Sequence, residues 1–126
     1  SPMSRGLGDV YKRQQYGLPI KIVNLNNRAL GMVKQWQDMQ YGGRYSSISY
    51  EDSLPDFVKL AESFGHVGIK VEKLSELNDA MKESFAMKDK LVFLDVLVDP
   101  DEHVYPMLEA GGSMSEMRLS KDKKTF

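Results

Sequence analysis

The sequence is most decisive over residues 91–98, which read Leu-Val-Phe-Leu-Asp-Val-Leu-Val and are apolar at every position except Asp95. A continuous apolar run of this length predicts a central strand of a parallel sheet, because helices cover both faces of such a strand. Asp95 then needs a partner. No second acid accompanies it, as a catalytic pair would require, so we expect Asp95 to meet a lysine or to lie at the sheet edge.

Strand and helix patterns alternate on the N-terminal side of this run. The predicted order is strand 20–25, helix 31–40, helix 54–64, strand 68–72, helix 76–87 and strand 91–98. Ser53 and Ser75 are the expected helix caps, Gly65 the expected helix end, and Phe85 is expected to face inward. This alternation predicts an α/β fold with a mostly parallel sheet of about three strands and flanking helices.

Composition excludes several classes of function. A net charge of −1 gives no electrostatic reason to expect a nucleic-acid partner. The absence of cysteine excludes disulfides, thiolate metal sites and cysteine nucleophiles. No apolar run approaches the roughly 18–20 residues of a membrane span, so we expect no membrane segment.

Residues 1–14 differ from the rest of the chain, because their apolar residues show neither helical nor strand periodicity. They resemble a translated cloning or sequencing-adapter remnant. We expect them to be a non-native or disordered arm, and the domain to comprise residues 15–126. A native flexible N-terminal arm is the alternative.

Two segments follow predicted strands, at the sheet edge where ligands bind in α/β folds. They are Asn24-Leu25-Asn26-Asn27 and the segment 99–107. The asparagines have two interpretations. They are either turn residues, or residues whose side-chain amide oxygen binds a hard cation such as Mg²⁺.

The apolar positions of the helix 31–40 also have two readings. Met32, Val33, Trp36 and Met39 lie at helical spacing, which indicates either core packing or a cofactor-facing stripe. His66 and His103 each lack a second ligand at metal spacing, so we expect both to be structural or solvated.

Several segments together resemble the large, catalytic subunit of acetolactate (acetohydroxyacid) synthases. Residues 18–27, Leu-Pro-Ile-Lys-Ile-Val-Asn-Leu-Asn-Asn, resemble the end of the thiamine-diphosphate motif, and Gly-Met-Val-Lys-Gln-Trp-Gln at 31–37 resembles the helix that follows it. The match continues at 54–62, 65–69, 103–107 and Gly111-Gly112. The resemblance covers residues 15–120 and implies the distal half of a doubly wound thiamine-diphosphate-binding domain.

The resemblance implies a reaction and its cofactors. Pyruvate is decarboxylated on thiamine diphosphate, through a hydroxyethyl intermediate, and the two-carbon unit is added to pyruvate or 2-ketobutyrate in branched-chain amino-acid biosynthesis. Thiamine diphosphate and Mg²⁺ are the cofactors of this reaction, and the full-length enzymes also bind FAD. Asn27 resembles the Mg²⁺ ligand through its side chain, and Ala29 would add its backbone carbonyl.

The remaining site residues are also carried over by resemblance. Gly31 and Met32 would bind the cofactor, while Met32, Trp36 and Ala110 would line the pocket for the second 2-keto acid and for herbicides. Trp36 favours the biosynthetic, FAD-containing enzymes over the catabolic ones. The full-length enzyme is expected in the bacterial cytoplasm, as a homodimer or homotetramer with a regulatory small subunit.

The departures from the family concern the other half of the site. Gly8-Asp9 is followed by Val10 and lies too close to Asn26 to be the Gly-Asp-Gly half of the cofactor motif. Without that motif, an activating glutamate or an FAD domain, we expect no catalytic residue here and no activity from the chain alone. The alternatives are another thiamine-diphosphate enzyme, such as a glyoxylate carboligase or pyruvate oxidase relative, and a free-standing small α/β binding module.

Overall fold

A computed structural model describes residues 15–50 and 52–120, so the predicted arm at residues 1–14 lies outside the described residues. The elements are β1 (Lys21–Asn26), α1 (Gly31–Tyr41), α2 (Phe57–Ser63), β2 (Val67–Val71), α3 (Leu74–Ala86), β3 (Val92–Leu97) and a short 3₁₀ helix (Met114–Glu116). The predicted order is confirmed, with boundaries that differ by at most three residues. No helix in these ranges is long and apolar enough to cross a membrane.

The described chain divides into two compact units. The first comprises residues 15–26 and 55–98 and contains the sheet with α2 and α3. The second comprises residues 27–50, 52–54 and 99–120 and contains α1 with the C-terminal segment.

The first unit is a three-stranded parallel sheet in the order β1-β3-β2. As predicted, β3 is the central strand, and Val92 and Leu94 are fully buried. They pack with Val71 of β2 and Ala80 of α3 in the main apolar cluster. Alternate residues of a strand face opposite sides, so Phe93 lies on the other face.

On that other face, α2 packs through Phe57, whose ring stacks on Phe93 with centroids 6.1 Å apart. Gly68 permits this approach, because a Cβ there would lie 2.8 Å from Val58 Cα. Contacts from α3 and α2 thus cover the two faces of the sheet at β2 and β3, which is the α/β arrangement predicted for a doubly wound domain.

Helix boundaries correct two of the predicted caps. Asp56, not Ser53, caps α2 by accepting the Lys59 amide at 3.1 Å. Leu54 precedes Pro55, and a residue before proline disfavours helical geometry, so the helix begins later than the sequence predicted. In α3, Ser75 lies inside the first turn, and the Glu76 carboxylate accepts the Lys73 amide at 3.2 Å.

Two further packing predictions have different outcomes. Gly65 ends the helix region as predicted, with φ of 75°. Phe85 is exposed rather than inward, because Ser84 takes the buried position of that turn and donates its hydroxyl to the Met81 carbonyl at 2.9 Å.

Candidate functional site

The asparagines of β1 hold the buried carboxylate of the neighbouring strand. Asp95 is 5% exposed and accepts from Asn24 Nδ2 at 2.8 Å and from Asn26 Nδ2 at 3.1 Å. The expectation that Asp95 meets a lysine or the sheet edge is therefore wrong. A carboxylate in the central strand needs donors on the same face, and the parallel register places Asn24 directly beside it. These two asparagines belong to the sheet.

Asn27, the next asparagine along the chain, belongs to the second unit and forms a tight turn with two other predicted site residues. Its Oδ1 accepts the Ala29 amide at 3.1 Å, and Arg28 between them has φ of 54°. A side chain at position 31 would displace the Asn27 carboxamide, since a Cβ there would lie 2.5 Å from Asn27 Nδ2. The structure thus brings Asn27, Ala29 and Gly31 together.

This turn leaves acceptor and donor groups available to a ligand. An amide oxygen has two lone pairs, so Asn27 Oδ1 retains one beyond its bond to Ala29. In the described part of the chain, the Ala29 carbonyl accepts no hydrogen bond, and the flanking backbone bonds are made instead by Leu30 and Arg28 with residues of the 48–50 segment. Two oxygens of the kind that Mg²⁺ prefers therefore remain free to coordinate.

The N-terminus of α1 starts at the same turn. Its first backbone bond runs from Lys34 N to Leu30 O at 2.9 Å, and Leu30 provides no side-chain cap. Within the described ranges, the amides of Gly31, Met32 and Val33 make no hydrogen bond. Uncapped amides at the positive end of an eleven-residue helix favour an anion such as a diphosphate. The residues present thus fit a magnesium diphosphate group.

The predicted pocket residues lie in the same unit. Met32 is 50% exposed and Val33 is 44% exposed. Neither side chain therefore belongs to a core, which was one of the two interpretations of their helical spacing. Trp36 lies one turn further along α1 and is half-buried. Ala110 is exposed in the C-terminal loop, immediately before Gly111.

The opposite side of α1 carries a polar network that the sequence did not indicate. Lys34 is buried, and its ammonium donates to Asp101 at 2.6 Å, Asp38 at 3.1 Å and Tyr45 Oη at 3.1 Å. His103 Nε2 lies 2.8 Å from Asp38, which makes His103 structural, one of its two predicted roles. The lysine ammonium lies among these acids, and no group of His, Asp and Glu side chains in the described residues could hold a metal ion.

Charges in this network stabilise one another. Burial lowers the pKa of Lys34, but its hydrogen bonds to Asp101, Tyr45 and Asp38 outweigh burial and raise that pKa above its ordinary value. Burial raises the pKa of Asp38, but hydrogen bonds from Tyr45 and Lys34, the lysine charge and His103 outweigh it and lower that pKa. Both groups are therefore charged at neutral pH.

Gln35 was also missed, and it is the most buried polar side chain of α1, at 1% exposure. The signal that could have indicated this face is the cluster of polar positions 34, 35 and 38 on one side of the helix, with Lys34 and Asp38 four residues apart. Polar helix faces are usually solvated, so the local pattern does not mark this one as buried. In the first unit, His66 Nε2 is buried without a partner among the described residues.

Comparison with known proteins places these features in a family. Residues 4–96 match the family described as thiamine pyrophosphate enzyme, C-terminal TPP binding domain, a match that begins within the segment 1–14. The acetolactate synthase large subunit of Haemophilus influenzae is 58% identical over 110 residues, which cover 87% of this chain and 19% of that protein. The isozyme 3 large subunit of Escherichia coli is also 58% identical, over 88% of this chain and 20% of that protein.

A more distant relative shows the same pattern. The acetolactate synthase large subunit of Corynebacterium glutamicum is 40% identical over 87% of this chain and 18% of that protein. The chain spans about a fifth of the length of the curated relatives that it matches. It belongs to the family of thiamine pyrophosphate enzymes, as their C-terminal TPP-binding domain.

Proposed function

We propose that the chain is the C-terminal part of a biosynthetic acetolactate synthase, which condenses pyruvate with a second pyruvate or with 2-ketobutyrate. The observation that carries the proposal is the 58% identity to two acetolactate synthase large subunits over nearly the whole chain. That identity favours this function over a glyoxylate carboligase, a pyruvate oxidase relative or a free-standing module. The Asn27 turn and the uncapped start of α1 support it independently, because both suit a magnesium diphosphate.

Each residue of the turn has a proposed task. Asn27 Oδ1 and the Ala29 carbonyl coordinate Mg²⁺, and the amides that begin α1 donate to the diphosphate. Gly31 holds the backbone close to the Asn27 carboxamide, which fixes its orientation. Thiamine diphosphate, when bound, supplies the electron sink for decarboxylation of the 2-keto acid.

The exposed side of α1 shapes the second substrate pocket in this proposal. Met32 and Trp36 provide apolar surface that excludes water and selects the second 2-keto acid, and Ala110 closes the pocket from the C-terminal loop. The full-length enzyme additionally binds FAD, forms a homodimer or homotetramer, associates with a regulatory small subunit and works in the bacterial cytoplasm.

We further propose that the 126 residues alone are inactive, since they contain neither a Gly-Asp-Gly motif nor an activating glutamate in the family's arrangement. A colour assay for acetolactate, with pyruvate, thiamine diphosphate, Mg²⁺ and FAD supplied, tests this. Turnover above the protein-free blank would contradict the inactivity of the isolated chain.

The assignment of Asn27 is tested in a full-length enzyme that carries this chain as its C-terminal part. Asn27→Ala should raise the Mg²⁺ and thiamine-diphosphate requirements together, because metal and diphosphate bind as one unit. Asn24→Ala is the matched control, since Asn24 is bound to Asp95 in the sheet. Isothermal titration of both variants decides, and equal effects would show that the metal ligand has been assigned to the wrong asparagine.

A further inference from the structure

The buried face of α1 holds one continuous segment of the C-terminal region. Gln35 Nε2 donates to the Val104 carbonyl at 2.8 Å, and the Val104 amide donates back to Gln35 Oε1 at 3.0 Å. The residue before Gln35, Lys34, binds Asp101, and Asp38, about one helical turn after Gln35, binds His103. Three helix side chains therefore hold residues 101, 103 and 104, and we call this set of contacts the clasp.

Directional polar contacts, rather than apolar burial, hold this segment. The Val104 side chain is 62% exposed, so it contributes little apolar burial, whereas the Gln35 carboxamide that grips its backbone is almost fully buried. A paired donor and acceptor on one planar amide fix both the position and the orientation of the Val104 backbone. The clasp consequently sets where the chain leaves α1 after residue 104.

The loop that follows is closed on itself. Met107 and Arg118 exchange two backbone hydrogen bonds of 2.9 and 2.8 Å, and the Arg118 guanidinium binds Glu109 at 2.8 Å. Ala110 lies in the exposed turn of this loop, before Gly111 with φ of 78°. Because the loop is tied at its own base, these contacts, and not the clasp, set its internal shape.

We propose that Gln35 is a positioning residue, whose clasp on Val104 sets the placement of the Ala110 loop relative to Met32 and Trp36 on the other side of the same helix. This inference rests on the proposed function, in which those three residues form the pocket for the second 2-keto acid. Gln35 touches no substrate. It acts through the segment that it holds, and it therefore governs selection of the second substrate rather than cofactor binding.

The same helix offers a matched control. Gln37 makes an equivalent two-point contact, with its Nε2 donating to the Ser46 carbonyl at 3.3 Å and its Oε1 accepting the Ser46 amide at 3.0 Å. That contact is exposed and holds the turn after α1, not the C-terminal segment. Gln35→Met and Gln37→Met thus each remove one carboxamide and its two hydrogen bonds from the same helix. They differ in the segment that loses these bonds, which is the C-terminal segment for Gln35 and the turn after α1 for Gln37.

The first experiment is hydrogen exchange on the 126-residue chain. Gln35→Met should speed amide exchange over 101–105 by roughly thirtyfold, since the two lost bonds contribute about 1 kcal/mol each. The Met107 and Arg118 amides should keep their protection, because the closed loop survives. Gln37→Met should leave all of these amides unchanged. Val104→Pro disrupts the same pair of Gln35–Val104 hydrogen bonds by a change in the C-terminal segment. It removes the Val104 N–H while α1 stays intact.

The second experiment uses the full-length enzyme. Gln35→Met should change the ratio of products from pyruvate and 2-ketobutyrate by roughly threefold, with kcat and the thiamine-diphosphate requirement near their original values. Faster amide exchange over 101–105 with an unchanged product ratio would overturn the positioning role. Loss of protection throughout the second unit in both Gln35→Met and Val104→Pro would overturn it too. A full-length enzyme that forms no acetolactate at all would instead refute the proposed function, while the exchange result still decides the clasp.

Discussion

The apolar cluster of the first unit and the helix α1 of the second bury different side chains. In the first, β3 places Val92 and Leu94 at zero exposure among other aliphatic side chains. In the second, the buried residues of α1 are Lys34 and Gln35, held by hydrogen bonds and ion pairs. Apolar burial is strong but non-directional, whereas a polar network stabilises one geometry. The difference teaches that apolar burial in the sheet supplies stability. The polar network of the second unit, which contains the candidate site, instead fixes the geometry of the segments that it binds.

The largest expected effect is in the apolar unit. Leu94→Ala should cost roughly 2–5 kcal/mol of unfolding free energy, through lost burial and the cavity left behind. Leu25→Ala is the matched control, because Leu25 lies on β1 and is 67% exposed. Urea unfolding followed by circular dichroism measures both. Similar losses for the two variants would show that β3 is not the centre of the core.

A smaller but clear loss is expected in the polar unit. Lys34→Met should cost roughly 1–3 kcal/mol, because it leaves Asp38 and Tyr45 without their partly buried cationic partner. Lys59→Met is the comparison, since the ion pair of Lys59 with Asp56 is exposed and should contribute nothing measurable. Equal midpoints for Lys34→Met and the unaltered chain would mean that the network does not hold the second unit.

Acid should weaken the polar unit through Asp38. Because its pKa is lowered in the folded state, its contribution is present above the ordinary value of 3.8 and is lost as the pH falls through the folded value. Unfolding midpoints should therefore drop less steeply in Asp38→Asn than in the unaltered chain below about pH 4. Asp52→Asn, at an exposed turn, should keep the steep dependence. If Asp38→Asn kept it too, the ion pair with Lys34 would not be the cause.

The smallest effect is expected where helical spacing suggested a core and the structure shows none. Val33→Ala should change the unfolding free energy by no more than about 0.5 kcal/mol, because Val33 is 44% exposed. Val71→Ala is the matched substitution inside the sheet core, where Val71 is 2% exposed, and it should cost several times as much. The same urea titration compares them, and a large loss at Val33 would restore the core interpretation of that stripe.

Most of the fold was predictable because its signals are local. The run at 91–98 predicted β3 as the central strand, and apolar periodicity predicted the three helices. The predicted strand at 20–25 placed Asn27 just beyond a strand end, where α/β folds bind ligands. The resemblance to acetolactate synthases, and not periodicity, selected Asn27, Ala29 and Gly31 from the other turn residues, and the structure brings those three together.

The tertiary structure alone decided which polar groups are buried and what they bind. Asp95 meets Asn24 because the parallel register sets them side by side, although they are 71 residues apart. Lys34 and Gln35 can be buried because Asp101 and Val104, 67 and 69 residues away, accept their hydrogen bonds. Local sequence determines which face of an element is apolar, but a polar side chain can be buried only where a distant partner replaces its water, and only the folded chain supplies that partner.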